Sequence, residues 1–122
     1  MDRAAVDRWL ERYVAAWRSY DRAEIEALFG EEATYRYHPW DEPIVGAAAI
    51  ADSWLEDRDD PGRWEASYVC HAADDDAAVA VGSSTYLDES GAVEGVYDNV
   101  YLLRFDGEGR CSAFTEWFMK RP

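Results

Sequence analysis

Few residues of this sequence have side chains suited to acid–base chemistry near neutral pH. His38 lies in the segment TYRYHPWDEP (34–43), and its imidazole, with an ordinary pKa of about 6.5, could move a proton. Glu116 lies in the segment FTEWF (114–118), between aromatic residues. If those rings line an apolar pocket, loss of water raises the pKa of the carboxyl group and makes Glu116 a candidate general acid or base.

Two further residues are candidates for holding a ligand by hydrogen bonds. Tyr13 lies on the apolar side of the first predicted helix and ends in a hydroxyl group. Asn99 lies in the β-rich segment VEGVYDNVYLLRF (93–105), although strands normally avoid asparagine. If the strand register differs by one residue, Asp98 takes the place of Asn99 in the pocket.

Each candidate also has an ordinary structural explanation, which the sequence leaves open. A lone histidine beside a proline is typical of a turn, and Tyr13 could be a core tyrosine whose hydroxyl reaches a nearby acceptor. Glu116 could face outward, or form an ion pair with Arg18 or Arg36. Asn99 could mark a bulge or a cross-strand hydrogen bond.

The sequence predicts no metal site and no cofactor. His38 and His71 are far apart and belong to no cluster of ligands, and no glycine-rich loop indicates a nucleotide. Cys70 and Cys111 form no CxxC motif, so we interpret them as small apolar residues on strands.

The strong acidity of the chain limits its partners. Its 122 residues carry 26 acidic and 12 basic side chains, which gives a net charge of −14. A phosphate backbone or an anionic membrane would be repelled, so we expect neither nucleic acid nor a membrane as a partner. The acidity could be an adaptation to high salt or compositional drift.

The length and the N-terminus indicate one domain, 1–122, in the cytoplasm. A chain of this size is typical of a single domain, and no apolar run approaches the roughly 20 residues that span a bilayer. The N-terminal segment MDRAAVDRWLERY carries charges throughout, so it is not predicted to be a secretion signal.

Helices are predicted in the first half of the chain. Apolar residues from Val6 to Tyr20 recur at steps of three and four, which indicates an amphipathic helix. Asp21 is predicted to cap a short second helix that Gly30 ends, and 47–57 is predicted to form a third. Between them, 33–38 alternates as a strand does.

The second half of the chain is predicted to form strands joined by short turns. The segments are 64–72, 77–87, 93–105 and 110–119, and their short connections favour an antiparallel meander. The predicted class is α+β, with a curved sheet that wraps the first helix. A ligand would fit between the concave sheet and the helices.

This order resembles the nuclear transport factor 2-like superfamily, and more narrowly its SnoaL-like and ketosteroid isomerase-like branch. The sequence segments that carry the resemblance are RYVAAW, D-RAEIEALFGEEATY, DEPIVGAAAI, RFDGEGR and FTEWF. The resemblance covers residues 5 to 119. It implies a cone-shaped α+β barrel, with three N-terminal helices packed in the concave face of a mostly antiparallel sheet. It also implies a homodimer through the outer sheet face.

The resemblance carries over to three catalytic positions of the isomerase branch, of which one matches. Tyr13 matches the tyrosine that donates to the developing enolate oxygen. Tyr37 stands where the isomerase has its aspartate base, and Tyr101 stands where it has a second oxyanion donor. A neutral phenol is a poor base, so steroid isomerisation is not favoured.

The same resemblance and strand alternation predict the pocket lining. Phe114, Glu116 and Phe118 are placed inward by the resemblance, and alternation puts Tyr97, Asn99 and Leu103 on the same side as Tyr101. Tyr35 and Tyr37 would line the mouth, with His38 or Trp40 covering it. Trp17 and Trp54 would form walls, because they lie on the inner sides of their helices.

Two classes of function are compatible with such a pocket. In the first, Glu116 transfers protons on a small, mostly apolar or aromatic ligand, as an isomerase, cyclase or hydrolase does, while Tyr13 and Asn99 hold the ligand oxygen and His38 assists. In the second, the protein binds the ligand without catalysis. A third possibility, a dimeric accessory domain, applies if aromatic side chains fill the core and leave no pocket.

Overall fold

The computed structural model describes residues 1–122 as three helices and a curved six-stranded sheet, so the predicted α+β class is confirmed. In chain order the elements are α1 (Arg3–Ser19), α2 (Arg22–Ala27), β1 (Phe29–Arg36), β2 (Ile44–Val45), α3 (Ala47–Glu56), β3 (Trp64–Asp74), β4 (Ala77–Leu87), β5 (Val93–Phe105) and β6 (Cys111–Lys120). None of the helices is both long enough and apolar enough to cross a membrane.

Aspartate caps start the first two helices. The carboxylate of Asp2 accepts a hydrogen bond from the backbone N–H of Ala5 (2.8 Å), and that of Asp21 accepts one from Glu24 (3.0 Å). Each bond satisfies a backbone donor that the first helical turn leaves free. The cap at Asp21 fixes the start of α2 at the position that the sequence predicts.

The end of α2 differs from the prediction. The helix stops at Ala27, and Phe29 and Gly30 already belong to β1, which ends at Arg36. The carbonyl oxygen of Leu28 accepts a hydrogen bond from Cys111 N–H (2.8 Å), so pairing with the last strand ends the helix before Gly30. Tyr37 and His38 consequently lie in the bend after β1.

The sheet order is β2-β1-β6-β5-β4-β3. Strands β3 to β6 form the predicted antiparallel meander, because each connection is short. The first long strand, β1, pairs in parallel with β6, the last one. The sheet therefore closes over α1 only through β6, which joins the N-terminal strands to the meander.

An aromatic core lies between α1 and the sheet. Trp9 is 1% exposed, and its indole N–H donates to the carbonyl oxygen of Leu28 (3.0 Å). Phe114, with no exposed surface, stacks on Tyr35 with ring centroids 4.3 Å apart and contacts Tyr101 at 4.7 Å. These rings pack beneath the candidate site and support it.

Gly82 lets a tyrosine ring lie flat across the sheet. It pairs with Tyr68 on the neighbouring strand, and a Cβ atom at Gly82 would lie 2.5 Å from the Tyr68 ring and 2.1 Å from a backbone oxygen. No side chain fits at that distance. The glycine therefore allows Tyr68 to lean along the concave face.

The convex face of the meander carries an exposed apolar row. Val69, Val81, Val100 and Trp117 are direct cross-strand partners in succession, from β3 to β6. Val69 is 51% exposed and Trp117 is 41% exposed. We call these four residues the outer row. Leu102 and Met119 extend it and are exposed as well.

Candidate functional site

A cavity of about 560 Å³ opens between the helices and the concave side of the sheet. Its lining contains every tyrosine of the chain, contributed by α1, by the end of β1 and by β3, β4 and β5: Tyr13, Tyr20, Tyr35, Tyr37, Tyr68, Tyr86, Tyr97 and Tyr101. Their rings form apolar walls of the cavity, and their hydroxyl groups supply hydrogen-bonding groups. A cavity of this size and lining suits a small organic molecule.

Glu116 lies inside this cavity on β6, opposite Tyr101 of β5. Burial raises the pKa of its carboxyl group to about 7, although the Asn99 amide and His38 act in the opposite direction. The two arginines that could have neutralised it are engaged elsewhere. Arg18 bonds to Glu65 (3.1 Å), and Arg36 bonds to the backbone oxygen of Asp41 (3.1 Å).

Asn99 holds the carboxyl group of Glu116 in place. Its side-chain N–H donates to Oε2 of Glu116 (2.8 Å), while its own oxygen accepts a hydrogen bond from the Ser84 hydroxyl (3.3 Å). Asn99 is 5% exposed and Ser84 is 3% exposed, so both bonds lie in the interior. Asn99 thus orients Glu116 through this contact.

Asp98 lies on the opposite face of β5. Both of its carboxylate oxygens accept hydrogen bonds from Arg121, each 2.8 Å long. This ion pair holds the pKa of Asp98 below its ordinary value. The strand register therefore places Asn99, and not Asp98, in the cavity.

Tyr13 and Tyr35 bring two hydroxyl groups together in the cavity, with their oxygens 3.5 Å apart. Burial raises the pKa values of both phenols, and of Tyr101, well above the ordinary value. All three therefore remain protonated near neutral pH. They can donate hydrogen bonds to a ligand oxygen, but they cannot act as bases.

Other predicted lining residues form the walls and the mouth. Tyr37 shares a hydrogen bond with the Ser53 hydroxyl (2.8 Å), and the Trp17 indole N–H donates to Asp59 (2.9 Å). Trp54 also lines the cavity, and the Tyr97 and Phe118 rings meet edge to face near its mouth, with centroids 5.9 Å apart.

Three predicted site residues lie outside the lining. Phe114 is wholly buried beneath the cavity, where it supports Tyr35. His38 bonds through Nδ1 to Asp41 (2.9 Å) and contacts the Phe118 ring. Trp40 is 79% exposed and stacks on His38, so it does not cover the opening. The turn after β1 directs both side chains past the mouth.

Strands β3 and β4 also contribute to the lining, which the sequence did not predict. Tyr68, Ser84 and Tyr86 line the cavity, and burial raises the pKa of Tyr68 to about 12. Strand alternation from Tyr68, combined with its pairing to Gly82, carries the signal that would have identified them. The cavity is consequently richer in hydroxyl groups than the apolar pocket that we expected.

Charged residues also line the cavity. Asp57 and Asp59 follow α3, whereas Glu94 and Lys120 come from β5 and β6. Burial raises the pKa of Asp59. No group of three or more His, Cys, Asp or Glu side chains is arranged to hold a metal ion. The interior thus offers one carboxyl group of near-neutral pKa and several neutral hydroxyl donors.

Comparison with known proteins identifies the domain. Residues 10–114 match the family described as SnoaL-like domain. The structure of a candidate ketosteroid isomerase from Kribbella flavida is similar, with a TM-score of 0.73 and 20% identity over 99% of this chain and 82% of that one. An LEH-like epoxide hydrolase from M. tuberculosis gives a TM-score of 0.67 and 16% identity over 95% of this chain and 84% of that one. No curated protein matches the sequence.

Proposed function

Because the chain belongs to the SnoaL-like domain family, within the nuclear transport factor 2-like superfamily, we propose that its cavity binds a small organic molecule and catalyses proton transfer on it. The observation that carries the proposal is Glu116, a partly buried carboxyl group inside the cavity whose pKa, raised to about 7, suits it to accept or donate a proton near neutral pH. Both structural neighbours contribute the fold alone, since their sequence identity is low.

In the proposed reaction Glu116 acts as the base, and neutral hydroxyl groups act as hydrogen-bond donors. Ionised Glu116 removes a proton from a carbon atom next to a substrate carbonyl, and the C–H electron pair moves to form the enolate. The hydroxyl groups of Tyr13 and Tyr35 donate hydrogen bonds to the oxygen on which negative charge develops. Protonated Glu116 then returns the proton to the same carbon or to another one.

The remaining predicted residues support this chemistry from around it. Asn99 is a positioning residue, because its amide fixes Oε2 of Glu116 and leaves Oε1 without a hydrogen bond from the protein. His38 acts from outside the lining: its positive form favours the ionised form of Glu116 and lowers the pKa of that carboxyl group. A cytoplasmic location remains a prediction from the sequence.

The pH dependence of the reaction with a general proton-transfer probe tests whether Glu116 is the base. 5-Nitrobenzisoxazole opens when a base removes the proton on its ring carbon, which breaks the N–O bond and releases a coloured phenolate. Glu116 can take that proton only in its ionised form, so we expect kcat/KM to rise with pH and level off above a midpoint of about 7. Absorbance kinetics between pH 5 and 9 measure the profile.

The control for this profile is Glu89→Gln, which removes an exposed carboxylate from the turn between β4 and β5. It should retain the wild-type curve. A wild-type rate that follows hydroxide concentration without levelling off would refute the catalytic proposal. Ligand binding without turnover would then be the function of the cavity.

We also propose that two copies of the protein associate through the outer row, as the resemblance implies. Apolar residues in direct register across four strands, with Val69, Val100 and Trp117 exposed and Val81 partly exposed, form a contiguous patch of the kind that marks protein interfaces. We expect light scattering to give the mass of two 13.9 kDa chains for the wild type. The variant Trp117→Glu should give the mass of a single chain. Val45→Glu, at an exposed position on β2, should leave the mass unchanged. A wild-type monomer at all concentrations would refute the dimer.

A further inference from the structure

The cavity combines aromatic faces with an excess of negative charge. Its lining includes four carboxyl groups, those of Asp57, Asp59, Glu94 and Glu116, against a single basic side chain, Lys120. No arginine lines it. Around these charges stand the eight tyrosines together with Trp17, Trp54 and Phe118, whose ring faces are the negative ends of their quadrupoles.

No arginine or lysine bonds to Glu116, and His38, which favours its ionised form, lies outside the cavity lining. Glu116 receives one hydrogen bond from the protein, from the neutral amide of Asn99. Lys120 faces the cavity from the far end of β6, where its side chain passes over Gly95. Ionised Glu116 therefore lacks a positive partner inside the cavity, and a ligand is free to supply one.

Aromatic rings around this cavity already hold cations in the structure. The Arg58 guanidinium lies over the ring of Tyr20, a lining residue, at 5.4 Å from its centroid. The Arg18 guanidinium lies over Trp64 at 4.8 Å, and the other partner of Trp64 is Trp17, stacked at 3.7 Å. Such distances are typical of cation–π contacts. Other tyrosine and tryptophan rings line the cavity and hold no cation in the structure.

We propose that the ligand of this cavity is an organic cation, an ammonium group attached to an aromatic or aliphatic body. The inward tyrosine and tryptophan rings would surround the ammonium group, and the carboxylates would balance its charge. This proposal deepens the proposed function by naming the ligand class of the same cavity. It does not depend on whether the bound molecule is turned over.

Electrostatics favour this class over an anion of the same shape. The tyrosine hydroxyls can donate to an anion, but the lining bears more negative than positive groups and the whole chain has a net charge of −14. A cleft lined mainly by one sign of charge concentrates ligands of the opposite sign. A neutral ligand would bury the same apolar surface but would leave the carboxylates without a counter-charge.

Three probes of nearly equal shape test the proposal by titration calorimetry of the intact protein at pH 8 and low salt. They are (4-hydroxymethylphenyl)trimethylammonium, its neutral carbon analogue 4-tert-butylbenzyl alcohol, and the anion 4-(hydroxymethyl)benzenesulfonate. We expect the cation to bind about tenfold more tightly than the neutral probe, and the anion to bind most weakly. Equal affinities, a preference for the neutral probe, or no binding of the cation would overturn the proposal.

A matched pair of variants ties the preference to the cavity. Glu94→Gln removes a lining carboxylate, and Glu89→Gln makes the same chemical change in the adjacent turn, outside the lining. We expect the affinity for the cation to fall at least about twofold in Glu94→Gln and to stay unchanged in Glu89→Gln. The neutral probe should bind both variants as it binds the wild type. A cation affinity unchanged in both variants would overturn the proposal.

Carboxyl NMR reports whether the cation lies beside Glu116. The bound ammonium ion should lower the pKa of Glu116, whereas the neutral probe should not. A cation that binds without moving this pKa lies elsewhere and overturns the proposal. Failure of the proposed catalysis is separately visible, because it appears as a missing pH-dependent rate with 5-nitrobenzisoxazole in the absence of any cation.

Discussion

Replacement of Glu116 by glutamine is expected to lower kcat/KM for 5-nitrobenzisoxazole at pH 8 by about 100-fold or more, the usual contribution of a positioned base. Glutamine keeps the shape of the side chain and an oxygen that can accept the Asn99 hydrogen bond, but it cannot take a proton. The comparison variant is Glu89→Gln, which should match the wild type. A loss of less than about threefold would mean that another group is the base.

The same substitution is expected to stabilise the protein at alkaline pH. The folded state raises the pKa of Glu116 from 4.5 to about 7, so between these values the folded chain holds this proton more tightly than the unfolded chain does. The stability that this proton contributes is complete below pH 4.5 and is lost as the pH rises through about 7. Above that pH the buried charge costs about 3 kcal/mol.

Because glutamine carries no charge, Glu116→Gln should raise the free energy of unfolding at pH 8 by about 2–3 kcal/mol, and by much less at pH 4.5. Urea unfolding at the two pH values measures this difference. An equal change at both pH values would show that packing, and not the charge, is responsible.

The second large effect is expected from Phe114→Ala. Phe114 has no exposed surface and stacks on Tyr35, so its removal leaves a cavity under the candidate site and should cost about 3–5 kcal/mol of unfolding free energy. Urea unfolding at one pH measures the loss. The matched variant is Phe118→Ala on the same strand, where the ring is 42% exposed and the loss should be clearly smaller. Equal losses of unfolding free energy in the two variants would contradict the conclusion that Phe114 supports the core beneath the cavity.

The fold could be predicted from the sequence because local signals agree with the tertiary structure. Asp21 carries its own capping group, and the strands 77–87 and 93–105 were predicted at the bounds they have in the structure. The start of β1 could not be predicted in this way. Phe29 and Gly30 suit the end of a helix locally, but the parallel pairing of Phe29 with Cys111, far away in the sequence, starts a strand there.

The candidate site was only partly predictable for a similar reason. Alternation along one strand placed Asn99 and Tyr101 on the same face, and the resemblance placed Glu116 inward, but the Asn99–Glu116 bond depends on the register between two strands. Tyr68 and Tyr86 were missed because their position depends on how the sheet curves. His38 and Trp40 lie in a turn, where no periodicity fixes the direction of a side chain, so their predicted place over the mouth had no physical basis.

The central place of β6 in the sheet has a consequence for biosynthesis. A ribosome delivers this strand after the other five, yet β6 is the element that joins β1 to the meander and supplies Glu116. A nascent chain that stops before Cys111 contains the helices and strands β1 to β5, but it lacks the strand that joins β1 to the meander and it lacks Glu116. Assembly of the cavity therefore depends on synthesis of β6, the last of the six strands.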